Sequence, residues 1–201
     1  YNNNNILFTD SNNLIDTIYN QDIIKEIWVD RGYTPKGFEI RKDDIVIDIG
    51  AHKGFFSIFA AIQAERGKVF SYEPNINNFE ILLENIRLNK LNNIVPFRLA
   101  VYKEPGKRRL FSSKISSGSH SLYFRNPYFK DSEFIEVNCT TLSEVFKENS
   151  IEKCNLLKLD CEYSEYDILL NTSGEILKRI EKIALECHST SHNRCYKEIE
   201  D

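Results

Sequence analysis

The chain has 201 residues, 41% of them hydrophobic and 28% charged, with a formal net charge of −4. That length fits one full domain or two small ones, and that composition supplies a buried core, so disorder is not the default. The one basic cluster, "KRR" at 107–109, reads as a solvated strand end. A grip on nucleic acid would need concentrated Lys and Arg, and a bilayer span would need ~20 apolar residues in a row; neither is present.

Five cysteines, an odd number without a CxxC pair, read as reduced thiols in the cytoplasm rather than a disulfide framework. No secretory leader opens the chain. It starts at Tyr1 and holds no Met, so it reads as a trimmed piece.

Residues 1–13 are polar and Asn-rich, a lead-in. Residues 14–29 carry Leu14, Ile18, Ile23, Ile24, Ile27 and Trp28 at near-helical spacing, and "RGYTPKG" stops the pattern. From there strands and helices alternate. "DIVIDI" (44–49) predicts a strand, "FFSIFAAIQAE" (55–65) a helix, "KVFSYE" (68–73) a strand, "NINNFEILLENIRLNK" (75–90) a helix and "NIVPFRLAV" (93–101) a third strand. Near-continuous apolar strands separated by helices are βαβ units around a parallel sheet. Residues 102–140 break the rhythm with short strand-like pieces and predict an antiparallel insertion. The alternation resumes with a helix from Thr141, whose partner Glu144 completes a capping-box pattern. A strand at 155–160, helical segments "SEYDILLN" and "GEILKRI", and a strand at 182–188 follow. The reading is an N-terminal helical lead-in (1–40) and one α/β domain (41–201) with a β insertion (102–140), ending before its last elements.

Ligands of an open parallel sheet bind at the carboxyl ends of the strands. "DIGAHKG" (48–54) is a glycine turn running into a helix N-terminus, whose free N–H groups favour an anion. Gly50 would let a ligand approach the backbone and Gly54 would let the helix pack closely. Glu73 lies ~20 residues further on, at the end of the second strand, placed to accept hydrogen bonds from ribose hydroxyls. The glycine spacing departs from a dinucleotide fingerprint, because Lys53 stands where a second turn glycine would serve a pyrophosphate. Asp48, just upstream, would repel phosphate and could hold an amine. On charge, the site favours S-adenosylmethionine over a nicotinamide dinucleotide.

"VIDIGAHKGFFSIFAA", "VFSYEPNINNFEILLENIRLN", "GSHSL", "TTLSEVF" and "NLLKLDCEYSEYDIL" together resemble the FkbM-type S-adenosylmethionine-dependent methyltransferases. The resemblance implies a class I, Rossmann-like methyltransferase fold, a doubly wound and mostly parallel sheet. It implies methyl transfer to a hydroxyl oxygen of a sugar, glycan or secondary metabolite. Carried onto this chain, Asp48, Gly50, Ala51 and Gly54 form the turn under the methionine part of the cofactor. Glu73 holds the ribose with Pro74 and Asn75 beside it, and Ala100 and Val101 lie near the adenine. Asp160, Glu162 and Glu165 match a "D-x-E-G-x-E" motif, in which Tyr163 replaces the glycine; His52 stands where the family often has Asn.

An alcohol needs help to lose its proton. Asp160, Glu162, His52 and His120 are the candidates for that work, with Asp160 best placed at a strand end. A capping or cofactor-binding role for either acid, a surface role for His120 and a backbone-positioning role for His52 are the plainer alternatives. Cys187, His188, His192 and Cys195 are too irregularly spaced for zinc, so no metal site is expected. The rival readings are a nucleotide-dependent oxidoreductase and a non-catalytic binding module of the same fold.

Overall fold

The computed structural model describes residues 6–10, 14–112, 117–123 and 133–186, without the side chains of residues 14–16. Its central sheet takes five strands in the order β3-β2-β1-β7-β8, all parallel. These are β1 (Ile45–Ile49), β2 (Lys68–Tyr72), β3 (Ile94–Phe97), β7 (Leu156–Leu159) and β8 (Ile183–Leu185). The sequence order reverses at β1, so the fold is a doubly wound α/β sheet with its switch point between β1 and β7.

Period-two alternation sorts the strands' side chains between two cores. Ile47 and Ile49 of β1 and Leu157 and Leu159 of β7 join one cluster with Phe70, Val145 and Phe146. Val46 and Leu156 face the other way, with Phe55, Ile58 and Phe59. The same alternation puts Asp48 and Lys158, register partners on neighbouring strands, together on that second face. Truncating one of the largest buried rings, Phe59→Ala for instance, would cost about 3–5 kcal/mol.

The crossovers are α2 (Phe55–Gln63) and α3 (Ile76–Leu88), with α4 (Leu142–Glu148), α5 (Glu165–Leu170) and α6 (Gly174–Leu177) later in the chain. Asn75 caps α3, its side chain accepting from the N–H groups of Asn77 and Asn78. At α4 the capping box is complete: Glu144 N–H donates to Thr141 Oγ1 at 3.2 Å, and Thr141 N–H donates to Glu144 Oε2 at 3.0 Å.

The structure departs from the sequence reading in two places. The third strand is not continuous over 93–101. It stops at Phe97, and Ala100–Val101 (β4) pair with a second, three-stranded sheet ordered β4-β6-β5. Pro96 lacks an N–H, which only an edge strand tolerates, and β3 is that edge. In the second sheet β5 (Gly106–Phe111) and β6 (Phe134–Thr140) pair antiparallel, while β4 pairs parallel to β6. The other departure is at the lead-in. Helix α1 (Leu14–Lys25) widens into a π-helical turn at Glu26–Asp30, closed by Arg31 at φ 59°. Ile27 is buried there, but Ile18 of the same expected stripe is exposed. The Cys187–Cys195 cluster lies outside the described residues.

Candidate active site

At the end of β1 the chain turns at Gly50, φ 77°, and the N–H groups of Gly50 and Ala51 both donate to the Tyr72 carbonyl at 3.0 Å. A Cβ on Gly50 would sit 1.8 Å from the Asp160 carbonyl oxygen. Gly50 lines a cavity at the strand ends and also has a close neighbour within the fold. Its close neighbour is the backbone after β7, and the missing side chain lets two strand ends meet. Gly54, φ 86°, leaves room for Leu82 of α3, whose Cδ1 would lie 2.3 Å from an added Cβ. Lys53, at the position read as a missing turn glycine, is fully buried and ion-paired with Asp10 of the lead-in.

These strand ends open onto a cavity of about 490 Å³. Gly50, Ala51, Glu73, Pro74, Ala100 and Val101 line it, so most of the expected cofactor set shares one hollow. His120, Asp160 and Glu162 line it too. Asp48, Gly54 and Asn75 do not. Asp48 lies beneath the floor, accepting from Ser57 Oγ at 2.6 Å and from Lys158 Nζ at 3.1 Å. Asn75 and Gly54 serve the starts of α3 and α2.

Glu73 is 5% exposed. Its two carboxylate oxygens accept from the N–H groups of His52 and Asn75, each at 2.8 Å. Burial pushes its pKa up to about 7, against the pull of those two N–H groups. The carboxylate is thus aimed by backbone and retains lone pairs for further donors. His52 itself takes φ 52°, and its Nε2 lies 2.7 Å from Ser117 Oγ, while Asn78 Nδ2 donates to the Ser117 carbonyl. The 117–120 segment is thereby tied over the cofactor side.

Across the cavity, Asp160 follows β7. Its Oδ2 accepts from Tyr33 Oη at 2.9 Å and lies 3.5 Å from Lys158 Nζ. Burial alone would lower the Lys158 pKa, but Asp48 and Asp160 outweigh it and hold the ammonium charged. Lys158 also donates to the Gly50 carbonyl at 3.1 Å, so one buried cation joins the glycine turn to the acid that follows β7. Tyr33 Oη reaches Glu186 Oε2 at 3.1 Å as well. Burial, then the charges of Asp160 and Glu186, raise the phenol's pKa far above the ordinary range, so it stays a donor.

Past Asp160 the chain turns through two left-handed residues, Glu162 at φ 51° and Tyr163 at φ 79°. A glycine would take these angles without strain. Ser121 Oγ donates to the Glu162 carbonyl at 2.7 Å, pinning the turn to the second sheet. Glu165 is fully buried and accepts from the Cys161 N–H at 2.8 Å.

Sequence reasoning missed Tyr33, Glu26, Glu186 and Lys158. The last had a signal. "IVIDI" and "LLKLD" each carry one charge inside an otherwise buried strand, and opposite charges in buried parallel strands must find each other.

An acid at the end of β2, a glycine turn at the end of β1 and an acid at the end of β7 around one hollow make a ligand-binding site of an open α/β sheet. The chain belongs to the FkbM methyltransferase family: the family model described as "Methyltransferase FkbM domain" matches residues 48–200. It is a methyltransferase of that family, and the family implies use of S-adenosylmethionine. It is 29% identical, over 84% of its length and 74% of the relative's, to the 31-O-demethyl-FK506 methyltransferase FkbM of Streptomyces tacrolimicus. It is 26% identical to the AMB antimetabolite synthetase AmbE of Pseudomonas aeruginosa, over 88% of its own length but 10% of that chain. Among solved structures, a precorrin-6y C5,15-methyltransferase from Geobacter metallireducens aligns over 89% of this chain and 66% of its own, with 13% identity and a TM-score of 0.48. No helix among the described residues is long and apolar enough to cross a membrane.

Proposed function

We propose that this protein transfers a methyl group from S-adenosylmethionine to a hydroxyl oxygen of a sugar, glycan or secondary metabolite. The observation that carries the reading is the shared cavity with Glu73 on one side of Gly50 and Asp160 on the other. The residues fit the cofactor: a buried carboxylate suits a ribose diol, and the N-terminal end of α2 favours a carboxylate, with no closely spaced second turn glycine for a pyrophosphate. When bound, S-adenosylmethionine supplies an electrophilic methyl on a sulfonium.

The protein's own part is to position and to move a proton. Glu73 accepts from the ribose hydroxyls, Gly50 and Ala51 turn under the methionine part, and Ala100 and Val101 flank the base. Asp160 takes the proton of the acceptor hydroxyl, held in place by Tyr33 and Lys158, with Glu162 and His120 closing the same wall. Orientation of an already activated leaving group supplies most of the acceleration. A relative whose name carries an O-demethyl substrate supports oxygen as the methylated atom. The free thiols Cys139, Cys154 and Cys161 support a cytoplasmic setting. Calorimetry with S-adenosylmethionine, S-adenosylhomocysteine and NAD(H) tests the cofactor. Binding of NAD(H) alone would overturn the proposal in favour of an oxidoreductase. Binding of the methyl donor, with no transfer to any hydroxyl acceptor in a labelled panel, would favour the binding module.

A further inference from the structure

We infer that residues 7–10 are a strap docked in a peptide-binding groove of the same chain, and that strap docking and cofactor binding strengthen each other. The coupling rests on the cofactor reading above and extends it to four residues, none of which lines the cavity.

The groove holds the strap's backbone first. Asn85 and Asn89 stand one turn apart on α3, and each side-chain amide pairs with one strap residue through both its acceptor and its donor. Leu7 N–H donates to Asn89 Oδ1 at 3.0 Å, and Asn89 Nδ2 donates back to the Leu7 carbonyl at 2.6 Å. Thr9 N–H donates to Asn85 Oδ1 at 2.7 Å, and Asn85 Nδ2 donates back to the Thr9 carbonyl at 3.3 Å. The spacings match, because four helical residues rise ~6 Å and two extended residues advance ~6.6 Å. The alternate residues contribute their side chains. The Phe8 ring packs edge-on against Trp28 and Phe55, with centroids 6.0 and 5.1 Å away. The Asp10 carboxylate is ion-paired with Lys53 and accepts from Asn20 Nδ2 at 2.8 Å. The groove therefore takes an extended peptide in which an acid follows an aromatic residue by two positions, and this chain supplies its own.

Three contacts lead from the strap into the turn before α2. Asn85 Nδ2 also donates to the Lys53 carbonyl at 2.9 Å, so one buried amide joins Thr9 to that turn. Asp10 faces the Lys53 ammonium, and taking a carboxylate away from a fully buried cation is costly. Phe55, the first residue of α2, packs against Phe8 and also against the His52 ring, 5.9 Å away. His52 donates its N–H to Glu73 at 2.8 Å. The strap thus braces the 52–55 turn that aims the Glu73 carboxylate. A ligand that needs that arrangement favours the docked strap, and by linkage the docked strap favours the ligand by the same factor.

The test uses the full chain with S-adenosylhomocysteine as the probe. Amide hydrogen exchange at Leu7 and Thr9 is followed with and without it, under conditions where the β1 amides stay unexchanged, so that exchange at the strap reports local opening. Both amides should slow by about fivefold or more on binding. Phe8→Ala and Asp10→Asn should each weaken S-adenosylhomocysteine binding by about fivefold, and the double variant should be little weaker than either, since both release one strap. The exchange measurement needs no variant, so it stands even where a substitution unfolds the protein. Exchange at the same rate with and without the probe, or no faster than in β1, overturns the inference. So do folded variants that bind like the wild type, or losses that multiply in the double variant. A wild type that does not bind S-adenosylhomocysteine overturns the cofactor reading, and the coupling with it.

Discussion

The two sides of the cavity are built differently. On the β1–β2 side, a glycine turn and Glu73 lie close together in sequence and are fixed by backbone N–H groups. On the β7–β8 side, Tyr33 meets Asp160 and Glu186 from separations of 127 and 153 residues, through its side-chain hydroxyl. On the proposed function, the first side presents one carboxylate, Glu73, to a ribose. The second presents a charged wall, and its character depends on which distant segments pack there. On that proposed function, recognition of the cofactor would be local and recognition of the acceptor long-range.

The largest expected effect falls on the bridge between the two sides. Lys158→Met leaves Asp48 buried without its cation and should cost about 3–5 kcal/mol of stability, read from the denaturation midpoint. Adding Asp48→Leu should restore much of it, because an apolar pair of similar volume removes both desolvation penalties. A loss below about 1 kcal/mol for the single variant would dissolve the bridge as a structural link. Next is Gly50→Ala, whose methyl would collide with the Asp160 carbonyl in a left-handed turn. It should cost at least about 2 kcal/mol and abolish S-adenosylhomocysteine binding, disturbing both sides at once. An alanine variant with unchanged melting and binding would mean that the strand ends can part freely.

Glu73 belongs to the cofactor side alone. Glu73→Ala should weaken S-adenosylmethionine binding by about 1–3 kcal/mol without changing acceptor preference. Its pKa of about 7 also sets a pH dependence. Ribose hydroxyls donate to the charged form, so binding lowers that pKa and must expel a proton below it. Affinity should therefore be flat above pH 7 and fall below it, by up to about tenfold per pH unit. Glu73→Gln should flatten the profile; a wild-type profile flat from pH 5 to 8 would count against the carboxylate as the ribose acceptor. The same upward shift means that ionising Glu73 costs stability in the free protein as pH rises from about 4.5 to 7.

The smallest effect tests the acceptor side's backbone. Tyr163→Gly and Tyr163→Ala both remove the ring, but only glycine takes φ 79° without strain. The glycine variant should be the more stable of the two by about 1 kcal/mol, read as a difference in melting temperature. Equal stabilities would mean that the turn relaxes once the ring is gone.

Much of the cofactor side was legible because its logic is carried by neighbours in the chain. The apolar run of β1, the turn at Gly50 and the acid after β2 follow at fixed short spacings, and Gly54 fits its role against α3. Gly50 was the exception: its partner, the Asp160 carbonyl, comes from another strand. Asp48 was visible as chemically unusual, yet its cation could be found only once β1 and β7 were known to be adjacent. The break after Phe97 was hidden for the same reason. "NIVPFRLAV" is mostly apolar, and nothing local says that its two ends belong to different sheets.

Taken by itself, the sequence determined the alternation of strands and helices, the capping box at Thr141, and the glycine turn followed by Glu73. These follow from periodicity, backbone freedom and hydrogen bonds that act over a few residues. Only the tertiary structure decided that Lys158 lies between Asp48 and Asp160, that Tyr33 of the lead-in reaches two carboxylates, and that Glu26 joins their wall. Electrostatic and steric contacts act through space, and the distances that set them exist only after the sheet order and the packing of the N-terminal helix have been fixed.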